Sequence, residues 1–332
     1  MRNNQQGVEK NVYICEMKRM IYIIAAVVML TGCRHGAEWR NSEGAAWGTV
    51  YHITYLADRP LDDSIIATMQ RVNMSLSMFE PQSTVSRINR GESRQVDSMT
   101  AEVYRISRHV WALSGGYFDP TVLPLVDLWG FGTNGESPYP DSASVEEALA
   151  LVGMEHTCLV GDTLTLDCEG ISLDFSAVAK GYGVDCIAAT LRRNGCTDFM
   201  VEVGGEVSVS GLNPRGELWR IMVENPADSL DMEPVILHLD NECVATSGNY
   251  RNYHIDASGR RYAHTINPNT GYPQQGKYLS VTVIAPTCGE ADALATAIMA
   301  MPADSIAAMI TQVPGTRVIA IDADLQLVTI GQ

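Results

Sequence analysis

Phe199–Thr246 reads FMVEVGGEVSVSGLNPRGELWRIMVENPADSLDMEPVILHLDNECVAT. Five short runs in it are apolar and rich in β-branched residues: Phe199–Val203, Val207–Ser210, Leu218–Val223, Val235–Leu239 and Cys243–Thr246. Gly, Asn and Pro punctuate the gaps, and runs bounded in this way read as strands. No helical spacing interrupts the series. Strands that arrive as a block, instead of alternating with helices, predict an α+β fold with a largely antiparallel sheet.

Outward from this block the pattern changes. Thr49–Leu56 is a strand by the same reading, and Leu279–Ala285 is another β-branched run. Leu61–Ser77 carries Ile65, Met69, Val72 and Leu76 at helical spacing. Thr100–Ser114 does the same with Val103, Ile106, Val110 and Leu113, and Gly115-Gly116 ends it. Ser144 with Glu147, and Thr287 with Glu290, read as capping boxes, the first opening a helix to Val152. Ser176–Asn194 is helical, with Gly195 as its stop. A helix near Ser305–Thr311 precedes two terminal strands.

The chain has 332 residues, with 23 Lys and Arg against 39 Asp and Glu, a formal net charge of −16. Such a length buries a sizeable core without disulfide staples. No basic stripe is present, which sets nucleic-acid binding aside. No G-x-G-x-x-G follows a strand, no G-x-x-x-x-G-K-[ST] occurs, and G-x-S-x-G is absent, so dinucleotide-binding, P-loop and α/β-hydrolase readings fail.

Met20–Leu30 is an unbroken apolar run preceded by Lys18 and Arg19. Its length suits a secretory signal and falls short of the roughly 20 residues of a membrane span. It closes in Leu30-Thr31-Gly32-Cys33, which resembles a bacterial lipobox. The expected organisation is a signal peptide over 1–32, a lipidated tether over 33–46 and the folded domain over 47–332. Met17 offers an alternative start, and a plain signal with a chance Cys is the other reading. Cleavage before Cys33 removes four positive and two negative charges, which leaves a net charge near −18. Acyl chains on Cys33, palmitate among them, would then hold the protein in the cell envelope, on a membrane facing the periplasm. Besides Cys15 in the signal segment and Cys33, six Cys form no C-x-x-C pair and are expected as buried free thiols. Cys158 and Cys168 flank a predicted hairpin turn at Gly161-Asp162 and could face each other.

Three segments carry candidate chemistry. Asp292 and Thr296 stand four apart, on one face of a helix lined with Ala. A carboxylate beside a hydroxyl suits Mg²⁺, although the same pair fits a solvated Asp and a Thr bonded to its own backbone. Asp174–Gly181 opens another helix, where free N–H groups and Lys180 would attract phosphate; simple capping and a surface Lys fit equally. His264 sits in the turn-rich loop Arg261–Pro273 and suits a general base, or a structural His. Val203-Gly204-Gly205-Glu206 and Ala245-Thr246-Ser247-Gly248 put Gly where backbone approaches something closely.

Taken together and in order, these segments resemble the ApbE family of FAD:protein FMN transferases. The resemblance runs from Trp47-Gly48-Thr49 nearly to the C-terminus. Besides the segments above, Gly116–Val122 and Pro124–Gly132 carry it. It implies a two-lobed α+β fold related to the T-fold, with FAD in the cleft between the lobes. It implies Mg²⁺ on Asp292, Thr296 and the Ala177 carbonyl. Beside FAD it implies Tyr117, Phe118, Asp119, Asp174, Lys180 and Ile266, together with Trp47 and Phe79, where many members carry Met and Tyr. It further implies that a Thr or Ser hydroxyl of an acceptor flavoprotein attacks the FMN-side phosphorus, with His264 as its base, and that AMP leaves. A metal-dependent FAD pyrophosphatase and a non-catalytic FAD-binding lipoprotein use the same ligands and stay open at this point.

Overall fold

The computed structural model describes residues 36–132, 139–226, 233–249, 253–255, 261–274 and 276–331. The lipobox Leu30–Cys33 and its apolar run lie outside them. The chain divides into a unit of Met1–Glu38 with Ala57–Pro60, and a unit of Trp39–Leu56 with Leu61–Gln332. The second unit carries the site. Among the described residues no helix is long and apolar enough to cross a membrane.

Eight strands form the main sheet. They are β1 (Glu38–Ala46), β2 (Thr49–Ala57), β5 (Phe199–Val203), β6 (Glu206–Ser210), β9 (Cys243–Gly248), β12 (Tyr278–Ala285), β13 (Arg317–Asp322) and β14 (Leu327–Ile330), neighbours in that order. The registers from β2 to β14 are antiparallel, as in Val201 opposite Ser208 and Val283 opposite Ala245. Three two-stranded ribbons complete the strands: β3 (Thr157–Val160) with β4 (Thr163–Leu166), β7 (Trp219–Met222) with β8 (Ile236–Leu239), and β10 (Tyr253–Ile255) with β11 (Arg261–Ala263). The α+β, largely antiparallel expectation holds.

Neighbouring residues of a strand point to opposite faces. Here both faces are covered. Ala245, Val283, Val318 and Ala320 join a helical core, whereas Val244, Ile284, Ile319 and Ile321 join a second core under Trp219, Leu237 and Leu239 of the β7–β8 ribbon. That is why β12 and β13 are dense in apolar and β-branched residues instead of alternating cleanly with charged ones. The helical layer includes α1 (Asp62–Leu76), α3 (Ser98–Ser114), α6 (Ser176–Arg193), α7 (Cys288–Ala300) and α8 (Ala303–Ile310). The short helix α2 (Thr84–Asn89) adds Val85 and Ile88 to the same core, whereas α4 (Leu123–Leu128) and α5 (Ser142–Leu149) place Leu125 and Val145 in a separate one. A third, smaller core joins Leu125, Trp129 and Val145 to Ile266. Helix α7 is buried nearly all round, so that even Asp292 is only 4% exposed.

Several expectations need correction. Glu38–Ala46, expected within the tether, is the edge strand β1, so ordered structure begins before residue 47. Its polar sequence hides a strand: Trp39 packs edge-on against Trp219 with centroids 6.1 Å apart, and Thr54 Oγ1 donates to Asn41 Oδ1 at 2.9 Å. Neither capping box forms. Asp141 caps α5, accepting the Ser144 N–H at 2.8 Å, and that helix ends at Leu149. Thr287 makes no side-chain cap on α7. Cys158 lies opposite Thr165, so Cys168 falls beyond its reach, and both are free thiols with Cys158 exposed. Cys196, Cys243 and Cys288 are the buried ones.

Candidate functional site

Residues from both sides of a cleft line a cavity of about 420 Å³. Helices α6 and α7 contribute Ala177, Lys180, Asp292 and Thr296, and strands β6 and β9 contribute Glu206, Thr246 and Ser247. The facing wall is Val122, Val126 and Phe131 with the loop His264–Pro268. Eleven of the twelve sequence-predicted residues within the domain meet here: Phe79, Tyr117, Phe118, Asp119, Asp174, Ala177, Lys180, His264, Ile266, Asp292 and Thr296. Trp47 lines an adjoining, more apolar cavity of about 610 Å³, which shares Met78, Phe79, Ser176 and Lys180 with the first.

Each wall is fixed by local bonds. Trp47 and Gly48 form the two-residue turn between β1 and β2, both at positive φ (52° and 79°). That geometry suits the twist of a hairpin but strains a bulky residue, at a cost of about 1–3 kcal/mol. Packing holds it there: the indole N–H donates to the Met69 carbonyl at 3.3 Å, and the ring lies against Gly183, where a Cβ would collide with it.

The Tyr117–Asp119 segment is held by its own acid. Asp119 Oδ1 accepts from the Thr121 N–H (2.8 Å) and hydroxyl (2.6 Å), and Oδ2 accepts from the Met154 N–H at 3.0 Å. Burial pushes this carboxyl up despite those donors. The Asp174 N–H donates to the Pro120 carbonyl at 2.7 Å, and its Oδ1 accepts the Ser176 N–H at 2.7 Å, so one residue joins this segment to the start of α6. Phe118 is buried in the main core, while Phe79 is 70% exposed at the cleft edge.

The facing loop is braced by rings. Trp129 donates from Nε1 to the Gly271 carbonyl at 2.8 Å and stacks on Tyr262 at 5.7 Å. The Gln274 N–H donates to the Thr265 carbonyl at 2.8 Å, closing a hairpin around Ile266. His264 stands edge-on to Phe131, centroids 6.4 Å apart.

Charge concentrates opposite. Lys180 Nζ donates to Glu206 Oε1 in an ion pair whose carboxylate side chain is 3% exposed. Glu206 Oε2 is buried with no hydrogen-bond partner among the described residues. Burial disfavours the Lys180 ammonium, but Asp292 and Glu206 outweigh it and hold the amine charged well beyond its usual range. Burial pushes both carboxyls upward against the pull of Lys180. Two carboxylates thus share one cation, which leaves the site short of positive charge.

The donors there are hard oxygens. Among the described residues no cluster of three or more His, Cys, Asp or Glu could hold a metal ion. The available set is the Asp292 carboxylate, the Thr296 hydroxyl and backbone carbonyls. Thr296 Oγ1 lies 3.2 Å from Ser247 Oγ. The Gly181 N–H, whose regular helical acceptor is the Ala177 carbonyl, donates to Asp292 Oδ2 at 3.0 Å. The Ala177 carbonyl therefore competes with a carboxylate for its donor. One or two carboxylates, neutral oxygens and a deficit of positive charge fit Mg²⁺, which keeps waters and shares its shell with substrate phosphate. Sequence reasoning missed Glu206 as a charge partner; its only signal was an acid set beside Val in a strand.

The ApbE family model matches residues 47–320. A FAD:protein FMN transferase of Vibrio cholerae is 36% identical over 300 residues, covering 86% of this chain and 88% of its own. Its counterpart from Haemophilus influenzae is 33% identical over 312 residues, covering 87% and 89%. The solved flavin transferase ApbE from Vibrio cholerae superposes with a TM-score of 0.79 at 34% identity, covering 88% of this chain and 96% of that one. The apo flavinyl transferase ApbE of Pseudomonas stutzeri superposes at 0.78 with 30% identity, covering 89% and 96%.

Proposed function

The chain belongs to the ApbE family, and from that premise we propose that it is a FAD:protein FMN transferase, moving FMN from FAD to a Thr or Ser hydroxyl of an acceptor protein. The observation that carries the reading is the convergence of Lys180, Asp292, Thr296 and His264 on one cleft.

In the reaction the acceptor hydroxyl oxygen bonds to the FMN-side phosphorus. The bond from that phosphorus to the bridging oxygen breaks, and AMP leaves with the bridging oxygen. Lys180 sets a fixed positive charge against the pyrophosphate. Aromatic and apolar residues of the cleft offer surfaces to the flat ring systems. His264, on the facing wall, takes the hydroxyl proton. Much of the rate comes from alignment of nucleophile, phosphorus and leaving group. Asp292, Thr296 and the Ala177 carbonyl are the residues to hold Mg²⁺, which when bound supplies neutralisation of the phosphate charge.

The lipobox supports a further reading: a lipoprotein anchored through Cys33 to an envelope membrane and facing the periplasm, where it meets its acceptor flavoprotein.

Incubation with FAD and Mg²⁺, with and without an acceptor, tests the activity. Flavin that stays on the acceptor through denaturation is the expected result. FMN and AMP formed without acceptor would identify a pyrophosphatase instead, and unchanged bound FAD a carrier.

A further inference from the structure

Helices α6 and α7 exchange carboxylates. Asp185, in the middle of α6, accepts the Cys288 N–H at Oδ1 (2.9 Å) and the Gly289 N–H at Oδ2 (2.8 Å). These are the first two residues of α7. One turn earlier on α6, the Gly181 N–H donates to Asp292 Oδ2, one turn into α7. The pairings 185 with 288 and 181 with 292 step in opposite directions, so the helices run antiparallel in a single register.

The absence of side chains keeps that register close. A Cβ on Gly181 would run into the Cys288 carbonyl and come within 2.8 Å of Asp292 Cβ. A Cβ on Gly289 would sit 3.3 Å from the Tyr182 backbone.

The first N–H groups of a helix lack partners within it, and a cap usually comes from the residue just before. Thr287 occupies that place with extended backbone but makes no cap bond. The acceptor comes from another helix, so the interaction that caps α7 also docks it. Asp185 itself borders a different cavity, beside Arg105, His109 and Glu290.

We propose that Asp185 is a positioning residue for the metal cradle: by docking the start of α7 on α6, it sets Asp292 and Thr296 against the Ala177 carbonyl. The proposal rests on the metal reading above. It places a determinant of metal affinity outside the cleft, at a residue that touches neither metal nor flavin.

The test is calorimetric titration of Mg²⁺ alone into the protein, FAD-free and FAD-loaded, for wild type, Asp185→Asn and Asp185→Ala. Asn keeps one acceptor and nearly the same shape, so it covers the case in which the Ala variant fails to fold. Loss of outer support for metal ligands typically weakens binding about 10–100-fold, and a weakening in that range is expected, larger for Ala. A second-site variant separates docking from capping. Thr287→Asp, added to Asp185→Ala, gives α7 a cap of its own without tying it to α6. Docking predicts a recovered melting temperature with Mg²⁺ affinity still impaired. Recovery of the affinity as well would reduce Asp185 to an ordinary cap and overturn the proposal. So would affinities within twofold of wild type in both single variants. A wild-type protein that takes up no Mg²⁺ in either state would remove the metal reading itself, and this proposal with it.

Discussion

Lys180 and Glu206 form an ion pair inside the cleft, and the second oxygen of Glu206 is buried with no hydrogen-bond partner among the described residues. The lysine is therefore held by an acid for which it is the charged partner. Its ammonium is positioned before any phosphate arrives, and removing it leaves two acids facing one another.

Lys180→Ala is expected to weaken FAD binding by about 1–3 kcal/mol, roughly a 5- to 150-fold rise in Kd, the range for losing a charge-assisted hydrogen bond. Quenching of flavin fluorescence on titration measures it. An unchanged Kd would mean that the ion pair serves the fold alone.

Asp292→Ala is expected to abolish flavin transfer, because it removes the charged member of the proposed metal set. Thr296→Ala, which loses a neutral ligand that water can replace, should cost less. EDTA should mimic Asp292→Ala, and added Mg²⁺ should rescue wild type only. Full transfer by Asp292→Ala at ordinary Mg²⁺ would sink the metal assignment.

Gly181→Ala reverses an ordinary rule. Within a helix, Ala is favoured over Gly by roughly 0.5–1 kcal/mol. Here the new methyl meets backbone of α7. Overpacking of this kind typically costs about 1–3 kcal/mol. Urea unfolding should therefore show a less stable protein, and a stabilised one would contradict the close helix crossing.

The pH dependence of stability has a defined sign at Asp185. Burial pushes its carboxyl up to about 6, against the N–H donors of Cys288 and Gly289. The native state thus holds this proton more tightly than the unfolded chain does. The group's contribution to stability is fully present below about pH 4 and is lost as pH rises through about 6, by at most about 3 kcal/mol. Melting curves at pH 4.5 and 7.5, both in EDTA, should differ less in favour of acid for Asp185→Asn than for wild type. Equal differences would refute the shift.

Cys33→Ala should release the protein from membranes if the lipobox is used. Detergent-phase partitioning of the two forms decides it: a variant that fractionates like wild type rules the anchor out.

What could be read in advance follows from how each signal is stored. β12 and α7 were legible because both lie deep in the core, and burial writes itself as sequence dense in apolar and small residues. β1 was not, since an edge strand with most residues exposed reads like any polar segment. The capping boxes misled for a related reason: a local Ser-x-x-Glu or Thr-x-x-Glu pattern cannot reveal a better acceptor nearby, such as Asp141, or one arriving from another helix, such as Asp185. The candidate site residues came from ordered motifs and resemblance, and the structure brings them to neighbouring cavities. The partnership of Lys180 with Glu206 joins residues 26 apart, across a helix and a strand, and leaves no trace in spacing.

The bond from Gly181 to Asp292 spans 111 residues. During synthesis, at about 5–20 residues per second, α6 leaves the ribosome roughly 5–20 seconds before its partner exists. Until then the half-site has Lys180 and its partner Glu206 but not Asp292. A chain that ends before α7 lacks Asp292 and Thr296, whatever else it folds. On the metal reading proposed above, flavin transfer is thus withheld until the polypeptide is nearly complete.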